Sequence, residues 1–504
     1  MPALTIAIPL LAAAVLMALS KVAPRRLSDV VALAVTGAVL GLCLLLARRA
    51  VEGPIVYWFG GWQPRGDVAV GIAFYVDSLS AGLAGLAALL TLGSLLFAWH
   101  YFDSVGALFH VLMLIFLAAM VGFCFSGDIF TLFVFFELMS ATAFALTGYK
   151  IEASALEGAL NFGITNSIAA FFVLWGIGLL YGRTGALNLA QLGETLSTAS
   201  PDALVSMAFV LICSGFFIKG AIVPFHFWLS DAHAVAPTPV CVLFSGVMVE
   251  MGLYAATRVW WTVFSGVLGD KQSAIVDTWL MAGAVTALVG GAACFMQRHL
   301  KRLLALSTVS HMGIVLMGLG QFSSLALAGT AIYVAGHALV KGALFLCAGI
   351  LLHRLGDVDV VKLRGKGRHL HITATIVVLA GLGLAGMPPF GTYVGKAIID
   401  KAAEEAGSWT AIVGLIASAL TAAAVFRAAG RVFLGAGPPS NEEQESATEK
   451  EGRETKGGRG RVPWLMLAPA VGMTILALSF GLLPGQQSFC QSQADGFQDR
   501  REYA

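Results

Sequence analysis

Seven ionisable side chains lie deep inside apolar stretches of this 504-residue chain. A lysine or aspartate at the centre of a membrane helix costs ~2.5–3.5 kcal/mol, so such residues are functional candidates by default. Two are acids, three are lysines and two are histidines: Glu137, Glu250, Lys219, Lys341, Lys396, His311 and His337. All three types can hold and release a proton. The set therefore predicts a proton relay, with water between groups on separate helices.

Each of these residues also has a purely structural explanation. Glu137 and Lys219 could form a static buried ion pair that only fixes packing, and Glu250 could merely neutralise a nearby lysine. His311 could be a satisfied core histidine, and Lys396 is near enough to a helix end to snorkel. A carboxylate near a desolvated lysine favours its charged form, and its withdrawal favours proton release. Seven such groups together favour the relay.

Prolines interrupt two apolar stretches. One reads FFIKGAIVPFHFWL, with its break at Pro224, and the other reads GLAGMPPFGTYVGKAIID, with its break at Pro388 and Pro389. In lipid a broken helix is tolerated only where it is buried in protein or lines a wet cavity. His226 and His233 lie beside the first break without a third metal ligand, so we predict that they line a channel mouth.

Composition excludes a soluble globule. Hydrophobic residues make up 58% of the chain and charged residues 12%, against roughly a quarter in soluble proteins. The net charge of +2 indicates no nucleic-acid partner. The seven cysteines contain no CxxC pair, and GLGLAG at 381–386 follows no strand, so neither a metal nor a cofactor is expected.

The apolar pattern predicts an all-α polytopic membrane protein. A spanning helix needs ~20 mostly apolar residues. Fourteen stretches qualify, at roughly 3–20, 29–47, 77–98, 107–126, 128–148, 158–181, 204–230, 239–262, 277–297, 302–320, 325–353, 371–402, 408–433 and 463–483. The connection at 48–76 and a polar, flexible loop at 435–462 are predicted to lie outside the membrane.

Basic residues predict the orientation, because cytoplasmic loops carry an excess of lysine and arginine. With the N-terminus outside, the inside loops hold 19 of the 31 basic residues and the outside segments hold 9. This split favours both termini outside the cell (inner) membrane.

The two proline breaks predict an internal repeat. They fall in the seventh and twelfth spans, five spans apart, so the units that contain them have opposite orientations, as in many transporters. The alternative to a repeat is that the prolines only produce two incidental helix kinks. The predicted parts are residues 1–106 (three helices), 107–262 and 277–433 (two inverted five-helix repeats), 434–462 (the flexible cytoplasmic loop) and 463–504 (the last helix and tail).

The strings GDIFTLFVFFELMS, KGAIVPFHFWLSDAHAVAPTP, KRLLALSTVSHMG, GHALVKGALFLCAG and AGMPPFGTYVGK resemble the proton-conducting antiporter-like subunits. That family includes the L, M and N subunits of respiratory complex I, the A and D subunits of Mrp-type antiporters, and membrane-hydrogenase subunits. The resemblance covers roughly residues 70–430 and is nearest to the D, M or N type. It implies fourteen helices with two inverted five-helix repeats and broken helices 7 and 12.

The resemblance also implies roles for individual residues. Glu137 and Lys219 match the family's switching pair, Lys341 and His337 its central group, and Lys396 its exit residue. Glu250 departs from the pattern, because many relatives have lysine there. With an acid at this place, the central relay has a different order of charged groups from that of many relatives. Whether it works in the same way, and which ion it carries, are therefore open.

These observations predict a proton-translocating, cation/proton antiporter-like subunit of a multi-subunit membrane complex. The parent complex would be an Mrp-type antiporter or an NADH:quinone oxidoreductase- or hydrogenase-like enzyme. The expected partners are other membrane subunits and protons, with Na⁺ or K⁺ as a candidate counter-ion. Two rivals stay open: a membrane subunit of a redox enzyme that takes part directly in quinone chemistry, and a scaffold with an inactive relay.

Overall fold

A computed structural model describes residues 1–22, 24–65, 68–102, 106–198, 202–404, 409–438 and 461–498. Within these residues, ten helices are long and apolar enough to cross a membrane, and four shorter apolar helices accompany them. The predicted all-α polytopic fold is therefore confirmed. The predicted loop at 435–462 lies mostly outside the described residues.

The first six helices follow the predicted apolar stretches. They are α1 Pro2–Ala18, α2 Arg25–Ala50, α3 Ser78–Tyr101, α4 Ala107–Phe125, α5 Ile129–Thr147 and α6 Ala153–Thr184. The connection between α2 and α3 forms an antiparallel hairpin of β1 Ile55–Trp58 and β2 Ala73–Val76. Aromatic and β-branched residues favour this extended pairing, which the sequence analysis did not predict.

The turn between α4 and α5 is tight, since α4 ends at Phe125 and α5 begins at Ile129. Gly127 donates its backbone N–H to the carbonyl of Ala73 on β2 over 2.9 Å. Asp128 then caps α5, accepting a 2.6 Å hydrogen bond from the backbone N–H of Thr131. A side-chain cap of this kind satisfies an N–H group that the first helical turn leaves without a partner.

The middle of the chain contains shorter helices. They are α7 Leu189–Ser197, α8 Ala203–Lys219, α9 Phe227–Val235, α10 Thr238–Leu243 and α11 Val249–Val259. A π-helical turn at Phe244–Met248 joins α10 to α11, and a second at Trp260–Phe264 extends α11, so that they form one span that is almost completely buried. The nine-residue α7 was not predicted, and it packs with its leucine face against the second π-helical turn.

The remaining helices complete the bundle. They are α12 Gln272–Met296, α13 Leu300–Leu319, α14 Ser324–Leu355, α15 His371–Leu384, α16 Gly391–Ala402, α17 Trp409–Ala429, α18 Trp464–Phe480 and α19 Gln486–Gln498. A π-helical turn at Gly430–Leu434 extends α17. The terminal α19 was also not predicted, and it packs on α14 and α3.

The centre of the bundle is formed by α13 and α14, which are buried along almost their whole lengths. By contrast, most of α2 is exposed toward the membrane. Gly313 of α13 lets the backbones of α12 and α13 approach closely, because a side chain there would clash with Ala287. Polar side chains on α13 and α14 are therefore shielded from lipid on every side.

Two predicted spans are interrupted. α8 ends at Lys219 and α9 begins at Phe227, while α15 ends at Leu384 and α16 begins at Gly391. Each gap contains a cis peptide bond, Val223–Pro224 in the first and Pro388–Pro389 in the second.

Candidate functional site

Lys219 is the last residue of α8, directly before the first break, and it is completely buried. Its ammonium nitrogen Nζ donates a hydrogen bond to Ser140 Oγ over 2.8 Å. The same nitrogen lies 5.0 Å from the centroid of the Phe136 ring, whose face attracts a cation. Both contacts come from α5, so α5 holds this lysine in place.

Glu137 is also on α5, three residues before Ser140, and it is partly exposed. Its charge interacts through space with that of Lys219. Among the contacts of the described residues, however, the two form no ion pair within 4.0 Å, and Glu137 Oε1 has no hydrogen-bond partner. Their role as a switching pair stays a prediction.

The first break is held by polar groups of the protein. The backbone N–H of Val223, next to Pro224, donates to Thr286 Oγ1 of α12 over 3.1 Å. Trp228 Nε1 donates to the carbonyl of Ile218 over 3.0 Å, and the backbone N–H of Ala221 donates to the same carbonyl over 3.1 Å. These bonds meet the condition for a broken helix at membrane depth.

His226 and His233 flank this break at different depths. His226 is partly exposed, whereas His233 is completely buried. His233 Nδ1 donates to the carbonyl of Leu229 over 2.8 Å, and its ring centroid lies 5.0 Å from that of Phe345. The proposed position at a channel mouth stays a prediction for both.

A chain of buried titratable side chains crosses the bundle centre. Oε1 of Glu250 on α11 lies 2.7 Å from Nδ1 of His337 on α14. The His337 ring stacks on that of His311 on α13, with centroids 5.0 Å apart. His311 Nδ1 in turn lies 2.6 Å from the Tyr333 hydroxyl. Sequence reasoning found three of these residues and missed Tyr333, whose signal was its place one turn before His337.

The second nitrogen of His311 extends this chain to α17. Nε2 lies 3.1 Å from Thr421 Oγ1, and Thr421 donates its own hydrogen to the carbonyl of Ala417 over 3.0 Å. Each ring nitrogen of His311 therefore has a hydroxyl within hydrogen-bond distance, Thr421 for Nε2 and Tyr333 for Nδ1. Because both ring nitrogens are engaged, His311 can take a proton on one and release one from the other.

Lys341 lies one turn after His337 on α14 and is completely buried. It donates hydrogen bonds to the carbonyl of Leu304, at 2.6 Å, and to Ser307 Oγ, both on α13. Among the contacts of the described residues, Glu250 forms no ion pair with Lys219 or Lys341. Its partner is the imidazole of His337, because α14 presents His337 and not Lys341 to α11.

Lys396, in the helix after the second break, pairs with an acid that sequence reasoning missed. Its Nζ donates to Asp400 Oδ2 over 2.7 Å, one turn further along α16. The i,i+4 spacing in KAIID was the available signal. Thr392 closes the break by donating to the carbonyl of Gly383 over 2.6 Å.

Other buried charges also escaped sequence reasoning. Lys301 and Arg258 were assigned to loops, yet both are buried. Arg258 pairs with Asp77 over 2.6 Å, and Asp29 lies 2.7 Å from His110. These charged residues lie close to the ends of their helices. A prediction based on apolar stretches assigns a charge at such a position to the adjoining loop.

Five of the seven predicted relay residues are thus buried in the structure, whereas Glu137 and Lys396 are partly exposed. The structure brings Glu250, His337 and His311 into direct contact and leaves gaps between them and the other predicted members. In the part of the chain that is described, no three histidine, cysteine or acidic residues are grouped so as to hold a metal ion.

Comparison with known proteins identifies the family. Residues 126–421, more than half of the chain, match the family described as NADH:quinone oxidoreductase/Mrp antiporter, TM. The chain belongs to this family. The matched region contains every predicted relay residue, both helix breaks and the central chain of contacts.

Relatives of this antiporter-family chain include subunits of NADH-quinone oxidoreductases and of Na(+)/H(+) antiporters. It is 33% identical to the N subunit of the NADH-quinone oxidoreductase of Desulforudis audaxviator (strain MP104C), over 96% of each chain. It is 27% identical to the D subunit of the Na(+)/H(+) antiporter of Bacillus subtilis (strain 168), over 95% of this chain and 93% of that one.

A solved structure is similar over the whole chain. A chain of the Mrp complex from Dietzia sp. DQ12-45-1b superposes with a TM-score of 0.86 at 27% identity, covering 100% of this chain and 98% of that one. The predicted family and the multi-pass membrane fold are confirmed. The comparisons support the prediction of a proton-translocating membrane subunit that works with other membrane subunits.

Proposed function

We propose that this chain carries protons through the membrane along its buried polar side chains, as a subunit of a larger membrane complex. The observation that carries the proposal is the contact chain from Glu250 through His337 and His311 to Tyr333. Four titratable side chains from three helices meet in a site shielded from lipid. If these side chains only served packing, fewer polar groups would be expected, because the desolvation of each one costs free energy.

The path has three parts in this proposal. Lys219 and Glu137 load the proton beside the first break. The central chain, with Lys341 next to it, passes the proton across the bundle, and water joins His337 Nε2, which has no hydrogen-bond partner among the described residues, to the next group, because the stacked rings of His337 and His311 share no hydrogen bond. Lys396 and Asp400 release it beside the second break.

Water completes the path, because the three parts do not touch in the described structure. Each of the two buried relay lysines already has a hydroxyl neighbour, Ser140 for Lys219 and Ser307 for Lys341. A hydroxyl can donate and accept at once, so it can join a lysine to an incoming water. A proton leaves the lysine when the charge environment of its ammonium changes.

The departure at Glu250 has a specific chemical meaning in this path. A lysine there would be a single basic station, whereas Glu250 and His337 form an acid–imidazole pair that can share one proton. Such a pair titrates as a unit, so the proton is held between two helices instead of on one side chain. The central step of this chain is a transfer within that pair.

We also propose the repeat, the orientation and the location that the sequence predicts. The repeat units would be residues 107–262 and 277–433, each with one interrupted helix and one lysine at its break. Both termini would face outward in the cell membrane. Reactivity of single cysteines, placed at Ser20 and Gln486, with a membrane-impermeant reagent in intact cells tests the orientation. Labelling of Gln486→Cys but not Ser20→Cys is expected.

The parent complex is proposed to be of the Mrp or the NADH:quinone oxidoreductase type, because relatives along nearly the whole chain belong to each. One relative belongs to a Na(+)/H(+) antiporter, which makes Na⁺ the first counter-ion to test. Under the rival hypotheses, a role in quinone chemistry or an inactive scaffold, a substitution that interrupts the central chain should cause no loss of proton flux.

The deciding experiment measures proton flux in vesicles that contain the assembled complex. His311→Gln should reduce flux at least about tenfold, the effect of ~1.4 kcal/mol on the barrier. His371→Gln is the matched control, because His371 is exposed at the start of α15. Full flux in His311→Gln, with normal assembly, would favour the inactive scaffold. Loss of quinone reduction with intact flux would favour the redox role.

A further inference from the structure

Lys301 is a buried lysine that the path described above does not use. It is the second residue of α13 and is completely buried. A lysine this near a helix end commonly extends its ammonium into water, and a cation is unfavourable at a helix N-terminus. Lys301 turns inward instead, and its Nζ donates to the carbonyl of Ala236 over 3.2 Å. This costly placement indicates that the charge of Lys301 has a function.

The protein surface begins one residue further along α13. Arg302 Nη2 lies 3.8 Å from Asp231 Oδ1 on α9, and the two side chains are 37% and 38% exposed. Ala236, which accepts the hydrogen bond from Lys301, directly follows the last residue of α9. Lys301 therefore lies just beneath a surface ion pair and between the same two helices.

One face of α13 leads from Lys301 to the central chain. Residues three or four positions apart lie on one face of a helix, and Leu304, Ser307 and His311 follow Lys301 at such intervals. Lys341 lies over this face, because it donates to the carbonyl of Leu304 over 2.6 Å and to the hydroxyl of Ser307. At the rise of a helix, Ser307 lies roughly 9 Å and His311 roughly 15 Å beyond Lys301. The face thus joins the surface pair to Lys341 and then to the central chain.

We propose that Lys301 is a second entry residue for protons, which pass from it along this face of α13 to Lys341. This entry rests on the proposed function, because it needs Lys341 and the central chain to carry protons. A proton from the adjoining aqueous phase binds the neutral amine of Lys301. A proton then leaves the resulting ammonium, through water, for the neutral amine of Lys341, and Lys301 is ready for the next one. Protons that enter here reach the central chain without passing Lys219.

A purely structural role for Lys301 predicts different behaviour from its variants. A lysine that only closes the end of α9 needs a donor for the carbonyl of Ala236 and not a proton that it can release. Glutamine and arginine both keep such a donor, but an amide does not titrate and a guanidinium does not release its proton in proteins. Histidine can both donate and exchange a proton. Three substitutions at Lys301 therefore separate the two roles.

The test measures proton flux in vesicles that contain the assembled complex, with the amount of each variant in the purified complex compared with wild type. Lys301→Gln and Lys301→Arg should each lower flux at least about tenfold, as expected when a proton-transfer group is lost. Lys301→His should give about threefold higher flux than Lys301→Gln or more, because an imidazole exchanges protons near neutral pH. Arg302→Gln is the matched control, since Arg302 is the next residue of α13 but lies at the surface, and it should keep wild-type flux.

Full flux in Lys301→Gln or Lys301→Arg would overturn the proposal, and so would flux in Lys301→His no higher than in Lys301→Gln. If Lys301→Arg does not assemble, because the guanidinium is larger, the comparison of the other two variants still decides. His311→Gln separates this entry from the proposed function. Lost flux in His311→Gln with full flux in Lys301→Gln overturns only the entry, whereas full flux in both overturns the proposed function as well.

Discussion

Nδ1 of His337 and Oε1 of Glu250 lie 2.7 Å apart, both fully enclosed by protein. The hydrogen bond joins α14 to α11 across the centre of the bundle. It makes the position at which this chain departs from many relatives part of a two-residue unit. The consequences of changing Glu250 therefore depend on a histidine and not on a lysine.

Glu250→Gln should reduce proton flux about tenfold or more, a loss of ~1.4 kcal/mol in the barrier. The amide can still hydrogen-bond His337 but cannot take up or release a proton. Flux in vesicles that contain the assembled complex is the measurement, and Glu157→Gln, exposed on α6, is the control. Wild-type flux and pH profile in Glu250→Gln would show that Glu250 is only a passive counter-charge.

Glu250→Lys should be more damaging than Glu250→Gln, although lysine is the commoner residue at this place. The new ammonium would meet His337 within hydrogen-bond distance and leave no acid nearby to balance its charge. The same flux measurement compares the two variants. Equal or higher flux in Glu250→Lys would show that the position is an interchangeable station linked by water.

Ser140→Ala should lower flux about fivefold, because it removes the hydrogen bond from Lys219 and such a bond contributes ~1 kcal/mol. Thr142→Ala is the matched control on α5, since Thr142 is buried and bonds only to backbone carbonyls of its own helix. If both variants lose flux equally, the effect belongs to α5 packing and not to the lysine contact.

Asp400→Asn should slow proton release by roughly twofold to fivefold, because the ion pair with Lys396 is partly exposed and solvent weakens it. The effect should shrink as salt is raised. Asp277→Asn, exposed on α12, is the control. A salt-independent effect larger than that of Glu250→Gln would contradict the assignment of this pair to a wet exit.

Arg258→Met should destabilise the protein by ~1–3 kcal/mol, because it leaves the partly exposed carboxylate of Asp77 without its partner. Adding Asp77→Asn should recover part of this loss, since asparagine keeps the cap of α3 without the charge. Thermal unfolding of the detergent-purified protein compares the two variants. No recovery in the double variant would indicate that Arg258 acts mainly through its stacking on Phe497.

The sequence by itself determined the class of the protein and most of its helices. Apolar stretches long enough to span a membrane are typical of transmembrane helices. Charged residues within them are conspicuous, because placing each one in the membrane costs free energy. Lys219, Glu250, His311, His337, Lys341 and Lys396 could therefore be named as candidates without any structure. The motifs around them were sufficient to indicate the family, which the comparisons confirmed.

Only the tertiary structure decided which of these residues touch. Partners on different helices depend on how each helix is rotated and on the depth at which it packs, and an apolar stretch encodes neither. It is the packing that brings Glu250 to His337 and Lys219 to Ser140. Tyr333 and Thr421 belong to the central chain because α13, α14 and α17 bring them to one imidazole, and hydroxyls in a membrane helix carry no signal of such a meeting.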